Sequence, residues 1–237
     1  MGLSENLSAI QQRIHAATAR AGRAPDSVLL LAVSKGVPPE LVNEAAAAGQ
    51  DYFGESKVQE SKAKIPLTSG RARWHMIGHL QSNKCRDAVQ LFEMIESVDS
   101  LPLAEELNKW AEKLGRRVPI LLEVNSGEAT KFGFKAEALL QQLTALNALP
   151  RLEIHGLMTI APWSPEPEKV RPVFHSLRTL KEQCEQHLGA PLAHLSMGMS
   201  GDFEVAIEEG ATIVRVGTAL FGARPRPVRI VNPDDGP

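Results

Sequence analysis

Short apolar, β-branched runs alternate with longer stretches of helical period along the whole chain. The runs fall at 28–33, 51–54, 74–78, 94–98, 119–125, 152–158, 193–197 and 212–217, and their length and composition predict strands. Between them the apolar spacing predicts helices that include 39–48, 103–114, 136–146 and 168–188. Gly49, Gly115, Gly189 and Gly210 stand where helices would end, as C-terminal glycines do. Ahead of the first strand, Leu3, Leu7, Ile10, Ile14, Ala17 and Ala21 recur at helical spacing. That pattern predicts a folded N-terminal helix rather than the continuous apolar block of a signal peptide.

Strand alternating with helix implies βαβ units and a parallel sheet, and eight such units in 237 residues fit a single (β/α)8 TIM barrel better than an open sheet. The N-terminal helix is then an extra element covering the barrel. The alternative is an open doubly wound fold, but the G-x-G-x-x-G fingerprint that a dinucleotide fold carries after its first strand is missing. One domain over residues 1–224 is expected. The segment 225–237 holds Pro225, Pro227, Pro233 and Pro237 without apolar period, which predicts a flexible tail.

Composition narrows the class further. Hydrophobic residues make up 43% of the chain, enough for one substantial core. With 26 basic and 28 acidic residues the formal charge is −2, so no global field favours nucleic acid or an anionic membrane. No run approaches the ~20 apolar residues that a membrane-spanning helix requires. The two cysteines, Cys85 and Cys184, form no disulfide framework and read as ordinary helix residues, so a soluble cytoplasmic protein is expected.

Candidate chemistry collects at the ends of strands, where parallel α/β folds place their ligands. Lys35 leaves the first strand into a loop with Gly36, and a partly desolvated amine there can attack an aldehyde to give a Schiff base. The competing reading is an ordinary surface lysine. After the seventh strand, Ser200 and Gly201 lead into a helix beginning near Asp202, and after the eighth, Gly217 and Thr218 repeat the glycine-plus-hydroxyl pair. Each turn alone reads as helix capping. Together, at the two loops where barrels commonly hold phosphate, they read as a phosphate cup of N–H dipoles and hydroxyls. Arg215 precedes Gly217 by two residues and therefore faces the same side. Its acceptor is either a ligand atom, a pyridine nitrogen being one candidate, or a carboxylate such as Glu55 or Glu123. The third strand ends in a polar cluster of His79, Gln81 and Asn83, from which His79 and Asn83 are candidates to orient a ligand. His75 and His79 lack a third ligand at metal-site spacing, so no metal is expected, and His155 and His194 read as packing residues.

Several motifs carry a resemblance to a known family. Ala32-Val33-Ser34-Lys35, Phe53-Gly54-Glu55, WHMIGHLQSNK from Trp74 to Lys84, Gly156-Leu157-Met158, LSMGMSGDFE from Leu195 to Glu204 and VRVGTALFG from Val214 to Gly222 resemble the pyridoxal phosphate homeostasis proteins. The resemblance implies a fold-type III barrel like the N-terminal domain of alanine racemase, with pyridoxal 5′-phosphate (PLP) held as an imine on Lys35. It further implies that Ser200, Gly201, Gly217 and Thr218 hold the phosphate, Arg215 approaches the pyridine nitrogen and Met197 lies close to the cofactor. Two departures stand out. Ser56-Lys57 replaces the family's Asn-Tyr, so Ser56, a shorter side chain, is expected to meet the cofactor through water. Gly36-Val37 replaces a polar or basic pair, so affinity or exchange is expected to differ from the family's norm.

A racemase needs acid–base groups on both sides of the cofactor plane, and Lys35 supplies only one. The single tyrosine, Tyr52, falls on the second strand and reads as packing, and the chain ends before a second domain that could supply another. An arginine at the pyridine nitrogen also withholds the proton that makes the ring a strong electron sink. A noncatalytic carrier that buffers PLP, affects amino-acid and keto-acid balance and serves PLP-dependent apo-enzymes, acting as a monomer, is therefore expected. The alternatives are a weak monomeric amino-acid racemase using His79 as the second proton donor, and a Schiff-base aldolase acting on sugar phosphates.

Overall fold

In the computed structural model, which describes residues 2–127 and 132–222, eight parallel strands close into a barrel in chain order. They are β1 (Leu29–Val33), β2 (Tyr52–Glu55), β3 (Arg73–Met76), β4 (Met94–Val98), β5 (Val118–Glu123), β6 (Leu152–Met158), β7 (His194–Met199) and β8 (Ile213–Val216). Around them run α1 (Leu3–Arg20), α2 (Pro39–Ala47), α3 (Val58–Lys64), α4 (Cys85–Leu91), α5 (Leu101–Lys113), α6 (Ala136–Asn147), α7 (Arg171–Leu188), α8 (Phe203–Glu208) and α9 (Thr218–Phe221). The (β/α)8 architecture matches the period of the sequence. The expected flexible tail at 225–237 lies outside the described residues.

The expected helix 168–188 starts later than its apolar pattern. Pro167–Val170 forms a 3-10 turn, and α7 begins at Arg171 because Pro172, lacking an N–H, suits a first turn and not an interior. The short helices α3 and α4 span seven residues each, too few for a period to stand out. Gly189 takes the left-handed conformation (φ +66°) that ends α7.

Strand alternation sorts side chains onto two faces of the wall. Leu31, Ile77, Met94, Leu121, Met158 and Ile213 fill the barrel, while Ala32, Phe53, Ile95, Ile120, Leu122 and Val214 pack outward within the larger core that includes the helices. Closure runs from Leu29 opposite Ile213 to Ala32 opposite Val216. α1 packs on α8 and α9, fixed in its first turn by Asn6 Nδ2 donating to the Leu220 carbonyl (3.0 Å) and near its middle by Arg13 gripping Glu204 with two hydrogen bonds. Cys85 and Cys184 are buried and unpaired within helices. Among the described residues no helix is long and apolar enough to cross a membrane.

The pairing of β5 with β6 shifts register between Ile120 and Leu121, bringing Gly156 hard against β7. A Cβ on Gly156 would lie 1.9 Å from the His194 carbonyl oxygen. Gly156→Ala is therefore expected to lower stability by about 2 kcal/mol or more, whereas Gly70→Ala, with open space around it, stays within about 0.5 kcal/mol of wild type. Urea-unfolding midpoints of the two variants check this.

Candidate functional site

A cavity of about 340 Å³ opens at the carboxyl ends of the strands, lined by Lys35, Ser56, Ser200, Gly201, Gly217 and Thr218 together with Arg215, Asp202 and apolar side chains. Lys35 reaches it by alternation. Leu31 and Val33 belong to the barrel interior, and the same two-residue step carries Lys35 inward while Ser34 turns to the outer face, where it is fully buried.

The backbone on both sides of Lys35 is clamped from that outer face. Lys64 on α3 donates from Nζ to the Ser34 carbonyl (2.7 Å), Glu55 Oε1 (2.7 Å) and Glu60 Oε1 (2.8 Å). The Ser34 hydroxyl donates to the same Glu55 oxygen (2.7 Å), and the Gly36 N–H donates to Glu60 Oε1 (2.5 Å). Gly36 is at φ +70°, a left-handed turn that a residue with a Cβ rarely adopts. Burial pushes the Glu55 carboxyl above its ordinary range against the pull of Lys64 and Ser34, and Glu55 Oε2 has no hydrogen-bond partner. Glu60 is held below its ordinary range by Lys64 and the Gly36 N–H, which outweigh its own desolvation.

The two small-residue turns meet across the cavity. Gly198 (φ +92°) lets the end of β7 press on α8, since a Cβ would fall 2.6 Å from that of Ala206. At Gly201 the opposite holds: its chain neighbours apart, no atom of the described residues lies within 4 Å of where a Cβ would stand, leaving the backbone open to a ligand. Asp202, the acidic residue of the lining, is already engaged, its Oδ1 accepting the Met199 N–H (2.6 Å). Burial raises its pKa.

Arg215 enters the barrel from β8 and is almost wholly buried. Nη1 donates to Ser196 Oγ (2.6 Å) and Nη2 to the Thr159 carbonyl (2.7 Å). Ser196 in turn donates to Glu96 Oε2 (2.5 Å), and His75 Nδ1 bonds Glu96 Oε1 (2.6 Å). Neither carboxylate foreseen for Arg215 bonds it. Glu55 faces the other side of the wall, and Glu123 acts at longer range: burial and Asp99 push its pKa up to about 7 against the pull of Arg215.

Of the expected site residues, Lys35, Ser56, Ser200, Gly201, Arg215, Gly217 and Thr218 are brought together. Met197 is not among the lining residues. Ser196 points into the barrel, so Met197 faces outward into the helix-covered core, and Met199 lines the cavity in its place. His79 and Asn83 are likewise absent from the lining. His79 is exposed, bonds Asp99 Oδ2 (3.0 Å) and stacks on Phe132 (3.6 Å between centroids), while Asn83 sits exposed in the turn Ser82–Lys84. Tyr52 begins β2 at the opposite end of the barrel, edge-on to His75 and accepting from Arg73 (2.8 Å). His155 and His194 pack near one another (6.3 Å between centroids) on β6 and β7. Trp163, 84% exposed, rims the cavity unforeseen. The only signal for it was an aromatic between Pro162 and Pro165 in the loop after the sixth strand.

The profile of the family described as alanine racemase, N-terminal domain, matches residues 6–225. A pyridoxal phosphate homeostasis protein of Aquifex aeolicus is 45% identical over 94% of this chain and 99% of its own. One of Pseudomonas aeruginosa is 43% identical over 94% and 96%. The structure of PipY of Synechococcus elongatus with PLP bound superposes at a TM-score of 0.82 with 41% identity, covering 93% of this chain and all of that one. An alanine racemase of Clostridium difficile shares the fold at a TM-score of 0.75 and 18% identity.

Glu123 takes up a proton more readily when folded than when unfolded, so it costs least stability below the unfolded carboxyl range and most above pH 7. Wild type is expected to lose stability relative to Glu123→Gln between about pH 4.5 and 7.5, by up to about 3 kcal/mol in total. Urea midpoints of both proteins across that window measure it.

Proposed function

Because this chain belongs to the pyridoxal phosphate homeostasis family, within the alanine racemase N-terminal-domain fold, we propose that its cavity holds PLP on Lys35 and that the protein stores and supplies this cofactor without turning over a substrate. The observation that carries the reading is the convergence, in one cavity, of an inward lysine, a cradle of Ser200, Gly201, Gly217 and Thr218, and a buried arginine. When bound, the group brings an aldehyde able to join a lysine amine as a Schiff base.

The protein's own residues divide the work. The turn N–H groups and the Ser200 and Thr218 hydroxyls receive the phosphate, and the open space at Gly201 lets it approach the backbone. Arg215 would hold the ring nitrogen as a donor that keeps its own proton, which would leave the nitrogen unprotonated and carbanion chemistry poorly supported. Ser56 and Met199 bound the ring. The two groups a racemase reading would call on lie away from the cavity: Tyr52 begins β2 at the far end of the barrel and His79 is turned to Asp99. Their positions weigh against the racemase alternative. A cytoplasmic monomer serving PLP-dependent apo-enzymes completes the proposal, and the two unpaired cysteines suit that reducing compartment.

With added PLP the protein is expected to develop an imine absorbance that borohydride converts to a stable adduct on Lys35. Lys35→Ala is expected to show neither. Equal behaviour of the two proteins would overturn the reading, and Lys35-dependent turnover of D- or L-alanine would make the protein an enzyme.

A further inference from the structure

The interior chain behind Arg215 is not required by packing. His75 from β3, Glu96 from β4, Ser196 from β7 and Arg215 from β8 are linked side chain to side chain within a barrel whose other filling, the buried Glu123 of β5 apart, is mainly leucine, isoleucine and methionine. All four are buried. The direction of every proton is set by its neighbours. Arg215 can only donate, so Ser196 Oγ accepts from it and must turn its own hydrogen to Glu96. Glu96, fully buried, stays ionised because His75, Arg215 and Ser196 together overcome its desolvation. With the Thr159 carbonyl on Nη2, the guanidinium is fixed at two corners, and it also lines the cavity, where Glu123 and Asp202 add their negative charge near it.

Resting on the reading of this cavity as a PLP site, we propose that Ser196, backed by Glu96 and His75, is a positioning residue that gives the site its preference for a ring containing nitrogen. The hydroxyl holds the guanidinium plane where a ring nitrogen can accept from it. Without that anchor Arg215 can rotate toward Glu96 and pair with it directly, withdrawing its N–H groups from the cavity. A benzene ring in the same place offers the guanidinium no acceptor, so it gains nothing from the anchor.

The test compares PLP with 2-hydroxybenzaldehyde carrying the same phosphomethyl group, titrated into full-length wild type, Ser196→Ala, Ser196→Thr and Glu96→Gln, with melting temperatures of the unloaded proteins recorded alongside. Wild type is expected to favour the pyridine ring by roughly tenfold or more. Ser196→Ala and Glu96→Gln should reduce that ratio about fivefold or more through weaker PLP binding alone, and Ser196→Thr should restore it. Loss of affinity for both compounds alike would show a merely structural role and overturn the inference. So would an unchanged ratio in Ser196→Ala. Failure of wild type to give the borohydride-stable adduct on Lys35 would overturn the PLP reading and this inference together, whereas an adduct with an unchanged ratio removes only the inference.

Discussion

A guanidinium that cannot give up its proton is buried inside this barrel, and the arrangement of the interior follows from it. Taking Arg215 out of water is costly unless its donors are met and its charge balanced. The barrel supplies a hydroxyl, a carbonyl and, one hydrogen bond further, the carboxylate of Glu96. An apolar ring of the same volume would pack at lower cost. Retaining the charge makes sense where its free edge meets a ligand, and the cavity lies on that edge.

The strand wall keeps a second buried cation separate from the first. Lys64 lies outside the wall, among Glu55, Glu60 and the Ser34 carbonyl, while Arg215 lies inside. Lys35 stands between them, its neighbours Ser34 and Gly36 tied to the outer cluster and its own side chain on the inner face. The outer ion cluster thus holds the loop, and the inner chain sets the surroundings that the amine meets. An extended strand end makes this division possible, because adjacent residues point to opposite sides. The glycine at 36 bends the chain at positive φ and offers its N–H to Glu60.

Much of this was legible in the sequence. Eight apolar runs and the glycines that end the helices were enough for the barrel, because both follow from local rules of period and φ. The cavity residues Lys35, Ser200, Gly201, Arg215, Gly217 and Thr218 were legible because they stand at strand ends, where the fold concentrates chemistry. Met197, expected near the cofactor from the resemblance, faces outward beside the inward Ser196, and Met199 reaches the cavity where β7 shifts register between Ser196 and Met199. The partners of Arg215 were hidden for a different reason. Ser196 and Glu96 are 100 residues apart and meet only when the sheet closes, and Lys64 stands on a seven-residue helix too short for its period to single out a buried face. Buried polar networks join strands by geometry, which no local period records.

The same geometry bears on why a racemase-like barrel would carry rather than convert. Catalysis of proton transfer at carbon needs an electron sink and a pair of acid–base groups in register with it. On the proposed reading the ring nitrogen would meet a donor fixed in its protonated state, and two imidazoles that could exchange protons are committed elsewhere: His75 to Glu96 deep in the interior, His79 to Asp99 at the exposed rim. What remains flexible is exchange at the mouth. Among the described residues, the exposed Trp163 and the open space before Gly201 leave the ligand's surroundings incomplete on the solvent side, whereas the lysine loop and the arginine are each tied down by several hydrogen bonds. A site rigid behind the ligand and open in front of it suits capture and release, since selectivity comes from the fixed wall and passage needs no rearrangement of the buried charges.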